Sequence, residues 1–396
     1  MAAAVDPYVV DWLNLVFRWF HVIAAIVWIG TSFYFVALDN HLLDPADEST
    51  RRRGVGGETW EIHGGGFYRV EKFRVAPATL PEPLHWFKWE AYWTWLSGFA
   101  LFVVLYYLRP RTYLIDASVA DLASWEAIVI SLAGLAVAWF VYDGLCRTVG
   151  QRSEPALAGL ILALVATTAY ASSHLFAPRA AYLQVGAMLG TIMAANVFFV
   201  IIPAHWELVR AKHAGREPDP AANVRGKQRS VHNNYLTLPV LFAMLAGHFP
   251  FTYGHSHSWA ILVCLMVIGA WVRHYFNRRH AGRTLWWIPL SAAAAVLALA
   301  LAIRPETTKP AATTFTTAQA RQVIDRRCVT CHSLHPSSPD FKTAPKGITF
   351  DTPEQIEAQA EAIKAVAVDS KIMPLGNVTR MTQAERNLLA AWIRGL

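Results

Sequence analysis

Cys328-Val329-Thr330-Cys331-His332 sets the reading of the C-terminal part of this chain and, through it, of the rest. Two cysteines two residues apart, followed at once by histidine, form the attachment signature of a c-type haem. Two thiols one helical turn apart reach both vinyl groups on one porphyrin edge, and His332 then turns its imidazole to the iron. A second iron ligand is expected downstream, and Lys371-Ile372-Met373-Pro374 supplies Met373. A His/Met pair suits electron transfer and raises the reduction potential. Met381 competes for the role, but it opens a helix and has no Pro-Leu-Gly loop to hold it over a haem face. A zinc ribbon would need a second Cys-x-x-Cys pair, and the other two cysteines, Cys146 and Cys264, stand alone in apolar segments. A thioredoxin-type redox site would need a βαβ context, which the pattern lacks.

Three helix starts surround the motif. Thr316-Thr317-Ala318-Gln319, Thr352-Pro353-Glu354-Gln355 and Thr382-Gln383-Ala384-Glu385 each combine a capping threonine with a Gln or Glu three residues on. Residues 316–396 therefore read as a small, all-helical, mono-haem cytochrome c domain, which carries single electrons and has no substrate pocket. Residues 304–315, rich in Pro, Thr and Ala, read as a linker.

Residues 1–303 are of another kind. The chain has sixteen tryptophans and is 54% hydrophobic, which points to a membrane protein. Eight apolar stretches are long enough to span a bilayer, near 10–38, 86–108, 122–145, 156–174, 181–203, 234–250, 257–275 and 285–303. The sixth is the weakest, interrupted by Pro239 and Gly247. The expected fold class is thus all-α: an eight-span transmembrane helix bundle followed by the cytochrome domain.

Basic residues orient the bundle. The four loops on one side hold seventeen Lys and Arg, among them Arg51, Arg52, Arg53, Arg147, Arg210 and Arg278; the three opposite loops hold only Arg109, Arg111 and Arg179. The asymmetry places the first side in the cytoplasm and both termini outside. It also accounts for the net charge of +7 without any nucleic-acid partner. The expected location is a bacterial inner membrane, multi-pass, with the N-terminus and the cytochrome domain in the periplasm, where c-haem is attached. Residues 1–11 lack a basic n-region, so the first span is expected to act as its own signal.

Ionisable residues inside spans are costly and are read as functional hypotheses. His21 lies a third of the way into the first span, in Arg18-Trp19-Phe20-His21-Val22-Ile23-Ala24-Ala25-Ile26-Val27-Trp28-Ile29-Gly30, where small residues let a flat macrocycle approach. It is a candidate haem b ligand, against the plainer reading of a histidine hydrogen-bonded across the bundle. His174 and His248, at similar depth, are candidate partners, giving one or two b-haems. His85, His205, His232 and His274 lie toward the inner side and as a set suit a second haem or a substrate.

The first cytoplasmic loop, 39–85, is too long for a simple connector. It holds Trp60, His63-Gly64-Gly65-Gly66-Phe67-Tyr68 and Lys72, and it runs into Leu84-His85-Trp86-Phe87-Lys88-Trp89-Glu90. A glycine hinge with an aromatic belt explains part of this. A folded cap gripping a flat anion explains the rest.

With these segments the whole chain resembles the bacterial integral-membrane urate oxidases, in which an eight-span domain is fused to a C-terminal cytochrome c. The likeness rests on His21 to Gly30, the His63 to Tyr68 loop, Leu84 through Ser97, His232-Asn233-Asn234-Tyr235, and the haem motif with Met373. It implies oxidation of urate to 5-hydroxyisourate at a cytoplasm-facing site. Electrons would pass through haem to the cytochrome domain, then to a diffusible cytochrome c or a terminal oxidase. A planar anionic purine calls for a cation (Lys72 or Lys88), a stacking surface (Trp60 or Trp89) and a base (His63, His85 or Glu90). Two other readings stay open. One is oxidation of quinol or another small donor by the same relay, with a lipid-accessible pocket. The other is an electron-transfer subunit whose catalysis lies in a partner chain.

Overall fold

The computed structural model describes residues 6–304 and 316–396. The linker expected at 304–315 lies outside them except for Arg304. The first helix, α1, runs Pro7–His41; Asp6 caps it by accepting from the Tyr8 amide at 2.8 Å, and Pro7 sits at the first position. Among the described residues, five helices are long and apolar enough to cross a membrane: α1, Ser124–Gln151, Glu154–Leu175, Pro178–His213 and Ser258–His280. The stretch expected near 86–108 is a helix over Trp89–Phe102 that continues as a π-helical turn, Val103–Tyr107. The stretch expected near 285–303 forms Trp287–Ala302.

The sixth stretch differs from its expected bounds. Asp219 caps a helix, Pro220–Leu245, that begins well before residue 234 and runs through Pro239. Its first half is polar, so an apolar window misses it. Gly269 lies against the bend, where a Cβ would sit 3.4 Å from Leu238 Cβ and from Pro239 N. Small residues set the other close crossings as well. A Cβ on Gly186 would come within 2.7 Å of Ala243 Cβ, the kind of contact that lets membrane helices approach without a hydrophobic drive.

The all-helical expectation needs one correction. Residues Val55–His63 (β1) and Gly66–Phe73 (β2) form a two-stranded antiparallel sheet inside the 39–85 loop, pairing Ile62 with Phe67 and His63 with Gly66. Gly64 and Gly65 both have positive φ, 57° and 83°, as a tight hairpin turn requires. Aromatic and β-branched residues at alternate positions favour strand over helix on either side of it. The hairpin is tied to the bundle through α1: Tyr34 donates to Glu61 at 2.7 Å, and Lys72 donates to Asp39 at 2.6 Å.

The C-terminal residues fold around their own core. Helices Thr317–Arg327, Pro353–Ala358 and Gln383–Ile393 begin with capping boxes at Thr316, Thr352 and Thr382. They bury Ile324, Phe350, Leu389 and Trp392, with Met381 among them. This unit packs on the Pro7 end of the bundle. Ile372 joins the bundle's main core, and the Thr112 hydroxyl donates to the Asp340 carboxylate.

Candidate functional site

In the C-terminal unit, Cys328 caps the helix Thr317–Arg327, and the Cys331 and His332 amides both donate to the Cys328 carbonyl. That turn holds the two sulfurs and the imidazole together. His332 Nδ1 donates to the Ile348 carbonyl at 2.9 Å, which fixes the tautomer and leaves Nε2 as the free ligating atom. Burial pushes the Cys328 thiol up to about 12, so the neutral thiol is its resting form. The Met373 amide donates to Val366 O at 3.0 Å, and Arg386 donates to the Met373 carbonyl at 2.7 Å. Met373 thus borders the same apolar core as Cys328, whereas Met381 is buried within it. The donor set fits a covalently held haem with His332 and Met373 as iron ligands.

His21 shows the same arrangement inside the bundle. Its Nδ1 donates to the Thr94 carbonyl at 3.0 Å, with the Ser97 hydroxyl at 3.2 Å. Nε2 is again left over. The ring lies so close to the neighbouring helix that a Cβ at Gly98 would meet His21 Cε1 at 2.7 Å. His174 bonds within its own helix, to the Tyr170 carbonyl at 2.8 Å, and both it and His248 are exposed.

At the His41 end of α1 lies a cavity of about 690 Å³, within the range of small-molecule sites. Trp28, Phe35 and Asp39 of α1 line it, with His85, Trp86 and Phe87 across from them. Further walls come from Val197 and Ile201, the ends of a π-helical turn, from His205, and from Lys227, Asn234 and Tyr235. The helix Ser258–His280 adds His274 and Asn277. A π turn widens a helix locally and is common beside functional sites. Three of the four inner histidines therefore share one wall system. The fourth, His232, belongs to a separate buried network in which its Nδ1 meets the Tyr142 hydroxyl at 2.8 Å.

Behind this wall sits a residue that the sequence reading did not single out. Arg273 is 4% exposed and has no carboxylate within ion-pair distance among the described residues. Its Nε donates to Asn234 Oδ1 at 3.0 Å, and Asn277 Nδ2 donates to the same oxygen at 2.8 Å. Arginine only donates, so both amide orientations are fixed. Asn234 Nδ2, Asn277 Oδ1 and Arg273 Nη2 are left buried without hydrogen-bond partners, and the Arg273 guanidinium lies 3.8 Å from the centroid of the Phe33 ring. The signal was available: Arg273 is a full charge inside the stretch 257–275.

The other expected site residues lie apart from the cavity or beside it. His63 ends β1 at the hairpin turn, and Trp60 is 63% exposed on its outer face. Lys72 is committed to Asp39, which also takes Lys227 at 2.9 Å. Lys88 lies over the Trp86 and Trp89 rings, 5.6 Å from each centroid. Glu90 is in the first turn of Trp89–Phe102, with Oε2 buried and unpartnered.

A family model described as the urate oxidase N-terminal region matches residues 7–304. The chain belongs to that family. Membership ties it to urate-related oxidation, hence to oxidoreductase chemistry with urate as the substrate suggested. Comparisons with curated proteins and with solved structures return no match.

Proposed function

We propose that the chain oxidises urate to 5-hydroxyisourate in the cavity at the His41 end of α1, as a membrane-embedded enzyme whose electrons leave through the C-terminal unit. The overall change is urate plus water giving 5-hydroxyisourate, two electrons and two protons. The observation that carries the reading is the Arg273–Asn234–Asn277 group. Burying a guanidinium without a counter-charge is costly; the Phe33 ring under Arg273 offsets part of that cost, and a bound anion offsets more. Urate is a planar monoanion whose edge alternates N–H and C=O. Asn234 Nδ2 and Asn277 Oδ1 offer the complementary donor and acceptor. Trp86 and Phe87 supply apolar ring surface in the same cavity.

His205 and His85 make no side-chain hydrogen bond among the described residues, whereas His274 Nδ1 is tied to the Tyr235 hydroxyl at 2.7 Å. We therefore assign proton uptake to His205 or His85 and orientation to His274, which keeps His85 of the three bases expected from the sequence and sets His63 and Glu90 aside. Haem bound at Cys328, Cys331, His332 and Met373, with a second at His21, would accept the electrons one at a time. The bundle would be an eight-span membrane domain of an inner membrane, with the cavity cytoplasmic and the C-terminal unit periplasmic, as the basic loops argue.

The test is an anaerobic spectrum of the oxidised, purified protein before and after urate. Growth of reduced c-type and b-type bands supports the reading. Haem that dithionite reduces but urate does not would overturn it in favour of quinol or a missing catalytic partner.

A further inference from the structure

The segment that carries Met373 is gripped by the bundle on both sides. Three residues before it, Ser370 lies so close to Gly254 that a Cβ on the glycine would sit 2.5 Å from the Ser370 carbonyl oxygen. Three residues after it, Gly376 lies under the 109–116 turn, where a Cβ would sit 2.5 Å from Arg111 O and 2.7 Å from Ile115 O. One glycine belongs to the bundle and the other to the C-terminal unit, and each leaves room for the other body's backbone. Between them Ile372 packs into the bundle's core.

The gripping surfaces are themselves held firmly. The Tyr182 hydroxyl donates to the Ser258 carbonyl at 2.7 Å and lies 3.2 Å from the Thr252 carbonyl, so it shares its proton across the turn bearing Gly254. On the other side, the Leu114 and Ile115 amides close on Pro110 O, and Leu114 O accepts from the Ala177 amide at 2.8 Å.

We propose that the bundle is a positioning element for the axial methionine: contact at Gly254 and at residues 111–115 holds residues 370–376 in the conformation that presents the Met373 sulfur. Docking and methionine ligation would then be one event. The C-terminal unit would be electron-competent when seated and altered when lifted off. Within the C-terminal unit, the Met373 amide bonds to the Val366 carbonyl, its carbonyl accepts from the Arg386 guanidinium, and its side chain packs against the unit's core; the external grip adds a constraint on the backbone on either side of it.

Gly254→Ala tests this, because residue 254 lies far from the haem motif in sequence and the atoms nearest an added Cβ all belong to Ser370. The readouts are the charge-transfer band of a ferric haem with a methionine sulfur ligand, and the rate at which urate reduces the c-type haem. The expected result is unaltered covalent haem, a weakened methionine band, and urate-driven reduction slowed about tenfold, a barrier change of ~1.4 kcal/mol. In the otherwise native chain, Thr112→Cys with Asp340→Cys should form a disulfide that preserves both properties. A Gly254→Ala protein with native band and native rate overturns the proposal. If Gly254→Ala does not fold, the disulfide decides: failure to form it, or loss of the methionine band on forming it, is equally fatal. Should urate reduce nothing even in the native protein, the urate reading falls, while band and disulfide still judge the docking.

Discussion

Arg273 Nε donates to Asn234 Oδ1 at 3.0 Å, and that single bond decides which way the asparagine presents its amide to the cavity. The arginine thereby acts twice, as a buried positive charge and as the clamp on a recognition group. Removing it should affect binding and stability in opposite directions.

Arg273→Gln is expected to raise the KM for urate about 10- to 150-fold, the range spanned by ~1.5–3 kcal/mol for a hydrogen bond to a charged group. Without urate the same variant should melt no lower than the native protein, since an unpaired buried charge has been removed. Thermal unfolding with and without urate measures both. A variant that loses stability while keeping its KM would show a structural arginine.

Gly98→Val should act on the histidine across the helix contact. The added side chain must displace the His21 ring, which leaves no room even for a Cβ. The expected outcome, matching that of His21→Ala, is loss of b-type absorbance with covalent c-type haem retained. Full b-type absorbance in both variants would remove His21 as a ligand.

Cys328→Ser and Cys331→Ser should each weaken or abolish covalent haem, read as haem-dependent staining after denaturing electrophoresis. Met373→Ala should leave that staining intact and lower the reduction potential, as expected when a thioether ligand is lost. Met381→Leu, a volume-conserving change within a core, should cost less than about 1.5 kcal/mol and leave the haem spectrum unchanged.

Asp351 supplies a pH dependence. Its carboxylate accepts from the Ser333 hydroxyl at 2.7 Å and the Leu334 amide at 2.9 Å, and these bonds hold its pKa below the ordinary value. A depressed carboxyl stabilises the folded state above its unfolded pKa, and the contribution is lost as pH falls through the folded value. Acidification below the usual carboxylate range should therefore loosen the loop after His332, with the onset visible in the c-type spectrum. Asp351→Asn should show the loosened spectrum at neutral pH and a flatter acid profile.

Much of the architecture could be read from local pattern. The three threonine caps of the C-terminal unit and the long apolar helices follow from capping and hydropathy, which act over a few residues. Two features escaped for physical reasons. The hairpin at Gly64-Gly65 was masked because the same aromatics suit a membrane belt or a strand, and only cross-strand pairing distinguishes them. The inner histidines of the cavity wall were legible, but the pairing behind them was not, because Asn234 and Arg273 lie on different helices, 39 residues apart. Their meaning comes from which atoms remain unpaired once the helices pack, and no spacing rule conveys that. The pairing of Lys72 has the same character: its partner, Asp39, is brought to it by the fold.

The cavity and the C-terminal unit occupy opposite ends of α1, a helix of 35 residues and so ~50 Å long at 1.5 Å per residue. On the proposed reading, each turnover carries two electrons outward while the protons stay behind. The resting voltage of a cell, negative inside, would then favour the reaction by ~2.3 kcal/mol per electron for each 100 mV. Purine oxidation would draw down that voltage, and its rate in sealed vesicles should respond to an imposed diffusion potential.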